Sequence, residues 1–156
     1  MSRLFVTKSL VMLTVPTYLD RSSLHGIGIF SSSFLTEGML VWEYHSRVDL
    51  TFKPDQWIDL GRGLSPCSFD NLRFHSYKEK GCLVLCLDNA RFMNHSGSKA
   101  NVRQDNEKDR MFASRDVEPG EELLCNYFEY SDCDDFHVLN FAKQSSYYHQ
   151  PRRQRR

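Results

Sequence analysis

The chain has 156 residues, 40% of them hydrophobic and 13% aromatic, with 20 basic and 20 acidic side chains. That length suits one domain with a single core, and the aromatic content argues against disorder over most of it. A formal net charge of zero argues against a broad cationic nucleic-acid surface, and no apolar run is long enough to cross a bilayer as a helix.

The five cysteines, Cys67, Cys82, Cys86, Cys125 and Cys133, are odd in number and none pairs at CxxC spacing. They read as buried thiols in a reducing, intracellular compartment, nucleus or cytoplasm, and no structural zinc or other metal is expected. At the N-terminus Lys8 interrupts Leu4-Phe5-Val6 and Pro16 ends the next apolar run, a poor fit to a secretory leader.

In chain order, Leu10–Val15 reads as a strand closed by Pro16, and Thr17–Leu24 as a polar loop. His25–Phe30 places Gly26 and Gly28 two apart before an apolar pair, a tight feature with close backbone approach. It is not a dinucleotide fingerprint: position 31 is Ser31, and the turn Thr36-Glu37-Gly38 with the strand Met39–Tyr44 replaces a crossover helix. Pro54–Ile58 opens a short helix, and Gly61, Gly63 and Pro66 predict irregular chain after it. Leu72–Tyr77 and Cys82–Asp88 read as strands, and Asp88–Asn101, rich in small polar residues, as a loop. Met111–Ala113 is a short strand, Glu118–Glu122 a turn, and Leu123–Tyr127 a final strand. Asp134–Gln150 predicts a short helix packing aromatics on the β body, and 151–156 a basic tail. The fold class is mostly β with short helices.

Four segments carry the chemistry: His25-Gly26-Ile27-Gly28, Glu43-Tyr44, Arg91-Phe92-Met93-Asn94-His95-Ser96, and Gly120-Glu121-Glu122-Leu123 ending at Tyr127. Together and in this order they resemble the SET domain, a family of protein lysine methyltransferases. The resemblance implies a β-clip fold of several small sheets, with a knot-like threading of the C-terminal segment. It implies a single catalytic domain over 1–150, with its core at about 10–130 and a channel-closing segment at about 131–150. It also implies S-adenosylmethionine as cofactor and a lysine of a basic protein, such as a histone in chromatin, as acceptor.

Matched by position, the resemblance gives His25, Gly26, Ile27, Gly28, Arg91, Phe92, Asn94, His95 and Tyr127 to the cofactor. Tyr127 and Tyr44 are the catalytic residues, and Tyr44, Cys125 and Tyr127 line the substrate channel. Methyl transfer needs a neutral amine, whereas a free lysine titrates at about 10.4. A narrow aromatic channel desolvates the amine and lowers that value, and alignment then dominates the rate.

The chain departs from the family pattern. Gly97-Ser98-Lys99-Ala100-Asn101 stands where many relatives have a cysteine and a Pro-Asn, His45-Ser46-Arg47 follows Tyr44, and the cysteine-rich zinc segment is missing. Cys125, two before Tyr127, is smaller than the usual aromatic and leaves room for higher methylation. Asp116, Glu118, Glu121, Glu122, Glu129, Asp132, Asp134 and Asp135 flank Tyr127 as a surface that could attract a basic peptide. The alternatives that remain are a catalytically silent SET-like module binding peptide or cofactor, a homodimer completing the channel, and weak nucleic-acid contact through the basic tail.

Overall fold

The structure, a computed structural model, describes residues 12–105, 109–132 and 134–136. Among the described residues three small sheets make the body, as the sequence leads one to expect of a mostly β protein.

The first sheet is the antiparallel hairpin β1 (Thr17–Arg21) and β2 (Ile27–Ser31), joined through Gly26, whose φ of +53° suits glycine. Strand β1 corrects the loop expected there. Its polar side chains face solvent, so apolar alternation is absent, while the backbone pairs in full register and Tyr18 stacks on Phe30 at 5.5 Å. The strand expected over Leu10–Val15 reduces, in the described part, to a bridge between Leu13 and Trp42 flanked by bonds from Thr14 N to Val41 O and from Glu43 N to Met12 O. Leu10 and Val11 lie outside the described residues.

The five-stranded sheet has the order β3 (Leu40–Glu43), β9 (Arg110–Ala113), β8 (Val102–Asp105), β10 (Leu124–Cys125), β7 (Asn94–His95). Strand β10 runs parallel to both neighbours, with Leu124 opposite Asn94 and Cys125 opposite both His95 and Val102. The C-terminal strand thus occupies a slot between two segments made much earlier in the chain. Strand β8 was missed because Val102-Arg103-Gln104-Asp105 is polar, and β10 is shorter than expected because Tyr127 already begins the helix α3 (Tyr127–Tyr130).

The third sheet, β4 (Leu50–Phe52), β6 (Cys82–Leu85) and β5 (Ser76–Glu79), is antiparallel. Two helices sit between β4 and β5: α1 (Pro54–Gly63) and α2 (Pro66–Phe74). They correct the irregular chain expected after Ile58 and the strand expected from Leu72. Pro66 starts α2 rather than breaking the chain, because Ser65 caps it by accepting from Ser68 N. Gly61 is tolerated inside α1 because the helices meet there: a Cβ at Gly61 would lie 3.1 Å from the Phe69 ring. Phe69 also packs 4.9 Å from Trp57.

The core lies between the large sheet and the hairpin and includes Ile29, Leu35, Val41, Trp42, Val102, Ala113, Val117 and Leu123. Backbone bonds from Leu123 N to Ile29 O (2.8 Å) and from Ser31 N to Glu121 O (3.0 Å) tie β2 to the segment before β10. The glycine-rich hairpin and the C-terminal motif are therefore adjacent strips of one surface. Cys86 and Cys125 are buried, as expected of the cysteines, but Cys82 is half-buried and Cys67, on α2, is exposed; none of the four forms a disulfide, and Cys133 lies outside the described residues. So does the remainder of the expected C-terminal helix and the basic tail; of that stretch, Phe136 has the Arg73 guanidinium 4.4 Å above its ring.

Candidate active site

Glu122 is the hub that joins three of the four motifs, the 25–28 hairpin turn, the 91–96 segment and its own 120–127 segment. Its Oε1 accepts from Asn94 Nδ2 (2.9 Å) and its Oε2 from Ser22 Oγ (3.0 Å). Asn94 Nδ2 also donates to His25 O (3.0 Å) and Ile27 O (3.2 Å). Ser22 Oγ in turn accepts from the backbone N–H groups of Leu24 and His25. Gly28 makes the space: a Cβ there would lie 2.8 Å from Glu122 Cδ and closer still to Oε1. The second glycine of the hairpin thus admits the carboxylate that positions the asparagine.

Asn101 locks the adjacent strand. Its Oδ1 accepts from Leu124 N (2.8 Å), its Nδ2 donates to Glu122 O (2.8 Å), and its own N–H donates to Leu124 O (3.0 Å). It is fully buried, and its side-chain bonds all go to the segment leading to Tyr127, while its carbonyl accepts from Ser114 N. Sequence reasoning registered Asn101 only as a displaced residue in an altered loop. The signal was local polarity, which does not reveal a long-range partner.

Tyr127 follows directly. Its hydroxyl donates to Met93 O (2.9 Å) and its backbone N–H to His95 Nδ1 (3.1 Å). Accepting at Nδ1 makes His95 neutral, with any ring proton on Nε2. Burial lowers the His95 pKa, in agreement with that bond. Burial, with smaller contributions from Cys125 and Asp135, pushes the Tyr127 hydroxyl far above the usual phenol range. Tyr127 is a neutral phenol at any physiological pH.

Beside that hydroxyl lies a cavity of about 50 Å³. Trp42, Ala90, Met93, Met111, Cys86 and Cys125 give it apolar walls, and Phe74, His75, Tyr77 and Tyr127 give it aromatic ones. Burial holds the Cys86 thiol and the Tyr77 hydroxyl well above their ordinary values, so neither carries charge into the space. The structure brings Tyr127, Cys125 and Arg91 to this one cavity. Tyr44 lines a neighbouring cleft instead, where its hydroxyl meets Thr51 Oγ1 at 3.0 Å, and Tyr77 is common to both spaces. Tyr77 was not among the sequence-derived site residues, since nothing distinguishes it from an ordinary strand tyrosine.

The residues expected to hold a cofactor adjoin the same cavity, whose wall includes Phe74, His75 and Arg91. His25 and Phe74 have ring centroids 5.5 Å apart, His75 and Phe92 likewise 5.5 Å, and the Arg91 guanidinium lies 5.1 Å over the Phe92 ring. Asn94 spends its amide protons on three oxygens, while its Oδ1 has no hydrogen bond among the described residues. An oriented carbonyl beside an aromatic group suits a ligand that presents an ammonium and a flat ring.

The acids around Tyr127 have local employment. Asp116 Oδ1 accepts from Glu37 N, and Glu121 pairs with Arg115. Asp132 accepts from Lys80 N and Gly81 N, Asp134 pairs with Lys78, and buried Asp135 accepts from Lys78 N at 2.6 Å. These contacts strap the C-terminal segment to the β5–β6 hairpin, which leaves less of the acidic run free to attract a peptide than its sequence suggests.

The SET-domain family model matches residues 26–128. The chain belongs to the SET-domain family. Among solved structures, a Plasmodium falciparum candidate histone methyltransferase is 20% identical, with a TM-score of 0.50, over 74% of this chain and 95% of that one. A humanized mutant of the Chaetomium thermophilum Polycomb Repressive Complex 2, bound to the inhibitor GSK126, is 22% identical, with a TM-score of 0.54, over 76% of this chain and 16% of that one. At these identities the likeness is one of fold. No curated protein sequence matches. No helix among the described residues is long and apolar enough to cross a membrane.

Proposed function

We propose that this chain is an S-adenosylmethionine-dependent protein lysine N-methyltransferase acting on a basic protein, with a histone as the leading acceptor. The observation that carries the reading is the Tyr127 hydroxyl. It is held by Met93 O at 2.9 Å on the wall of an apolar cavity, one strand pairing away from Asn94.

Asn94 Oδ1, the backbone of 25–28, Arg91, Phe92 and His95 would hold the cofactor, which when bound supplies an electrophilic methyl group on a sulfonium. The chain's own residues do the rest. Trp42, Met93 and Met111 exclude water from the cavity and so favour the neutral form of an entering amine. The neutral Tyr127 hydroxyl, fixed by donating a hydrogen bond to Met93 O, would orient the nitrogen by accepting an amine N–H. Tyr127 is thus an orienting group rather than a base. Tyr44, in the adjoining cleft, stands on the path by which the acceptor chain approaches. Cys125 leaves room for an amine that already carries methyl groups, so mass spectra at exhaustive turnover are expected to show products beyond the monomethyl form.

The test is methyl transfer from labelled S-adenosylmethionine to a panel of basic proteins, with Tyr127→Phe alongside. Transfer to lysine, reduced about a hundredfold in the variant by misplacement of the amine, is the expected result. Cofactor binding by calorimetry without transfer to any acceptor would favour the silent module instead. Absence of cofactor binding would remove the site assignment itself.

A further inference from the structure

The cleft that holds Tyr44 has a volume of about 210 Å³ and opens beside the Tyr127 cavity, with Tyr77 in the wall of both. Its floor is well fixed. Tyr44 N donates to Asp109 O (2.9 Å), and the Tyr44 hydroxyl bonds Thr51.

Glu79, at the end of β5, points a carboxylate into this cleft with its side chain only 13% exposed. Burial raises its carboxyl above the ordinary range, the sign of an anion short of compensation. Among the described residues its one cation is Lys80, at 3.3 Å. Lys80 also reaches Asp109 Oδ1 at 3.4 Å. Both distances exceed the roughly 2.7–2.9 Å of a strong charge-assisted bond. The Lys80 side chain is 70% exposed, and its backbone sits at a φ of +51°, which a lysine adopts at a cost. A flexible, solvated ammonium shared loosely between two carboxylates contributes little and is easily displaced.

We infer that this cleft is a subsite for an arginine side chain of the substrate protein, close in sequence to the target lysine, with Lys80 as the internal cation that the arginine displaces. A guanidinium is the better occupant. Its planar fork can meet Glu79 and Asp109 together, and it stacks on the tyrosine rings that line the cleft, where a second ammonium would only repeat what Lys80 does. The inference rests on the methyltransferase reading for placing the occupant next to a target lysine; the charge and shape of the cleft do not depend on it.

The experiment is fluorescence anisotropy on the full chain with labelled peptides of alanine, glycine and serine. Each peptide carries one lysine and one arginine, the arginine placed in turn at each of the three positions on either side. The lysine-only parent serves as reference. At one position or two adjacent ones, arginine is expected to tighten Kd by about tenfold, within the range of a charge-assisted bond. Glu79→Gln should remove that gain and leave affinity for the lysine-only peptide unchanged, and Lys80→Ala should enlarge it. Thermal melts establish that both variants are folded. No gain at any position, including no measurable binding, overturns the inference, as does a gain that survives Glu79→Gln. An arginine gain without methyl transfer to any peptide would sustain the subsite and count against the enzyme; transfer without arginine preference would do the reverse.

Discussion

His95 shows how one residue couples protonation to the site. Its Nδ1 accepts from Tyr127 N, and only a neutral ring can do so. Burial lowers its pKa in the folded chain from the ordinary value of about 6.5, whereas the unfolded chain protonates it freely. The stability it contributes is therefore fully present above about pH 6.5 and is lost as pH falls through that value toward the folded pKa. The melting temperature should fall on acidification below about pH 6.5. In His95→Leu it should start lower and lose part of that acid slope. An acid limb of equal steepness in parent and variant would assign the effect to other groups. Tyr127 behaves oppositely: with its hydroxyl pushed far up by burial, it takes no part in any pH dependence near neutrality.

Among the elements, the hairpin β1–β2 and the strip before β10 depend on each other through Gly28 and Glu122. Gly28→Ala puts a Cβ against the Glu122 carboxylate, which is held by Ser22 and Asn94 and cannot swing away without breaking both bonds. Overpacking of this kind costs roughly 1–3 kcal/mol. The same substitution should cost much less in a Glu122→Ala background, and a double-mutant cycle of denaturant melts reads that coupling. Additive losses would mean that Gly28 is needed for another reason. This dependence was only half legible in the sequence. The glycine spacing and the two acids stand out as motifs, but nothing local says that one makes room for the other. The same limit explains the missed elements. Pro66 and Gly61 look like breakers until Ser65 caps one helix and Phe69 packs against the other. Strands β1 and β8 escape the reading because they pair through the backbone with little apolar alternation, Val102 being the buried apolar side chain of β8. What periodicity could reach it placed well: Leu40–Glu43 lies one residue inside the expected strand at each end, and Cys82–Leu85 starts where expected and stops three residues short of Asp88.

For the molecule as a whole, the order of assembly is written in β10. Its two residues pair with Asn94, His95 and Val102, well upstream, whereas β8 and β9 form a local hairpin, so docking of the C-terminal segment carries the larger loop-closure cost. The strap that retains that segment is electrostatic. Asp135, fully buried, accepts from Lys78 N, Asp132 caps the turn at Lys80 and Gly81, and Asp132 N returns a bond to Lys78 O at 2.7 Å. These bonds run to the hairpin that carries Tyr77 and Glu79, so the acidic run serves the walls of both clefts before it serves any partner. Asp135→Ala leaves the Lys78 amide without its acceptor, a loss of about 1–3 kcal/mol. For a chain of this size that lowers the melting temperature by roughly 3–10 °C. Hydrogen exchange should localise the effect: the Lys78 amide loses protection in Asp135→Ala, the Lys80 and Gly81 amides lose it in Asp132→Ala, and amides of β8 and β9 keep theirs in both. Uniform loss of protection across the large sheet would show instead that the strap is part of one cooperative unit with the core, and that the two clefts cannot be loosened without unfolding the protein.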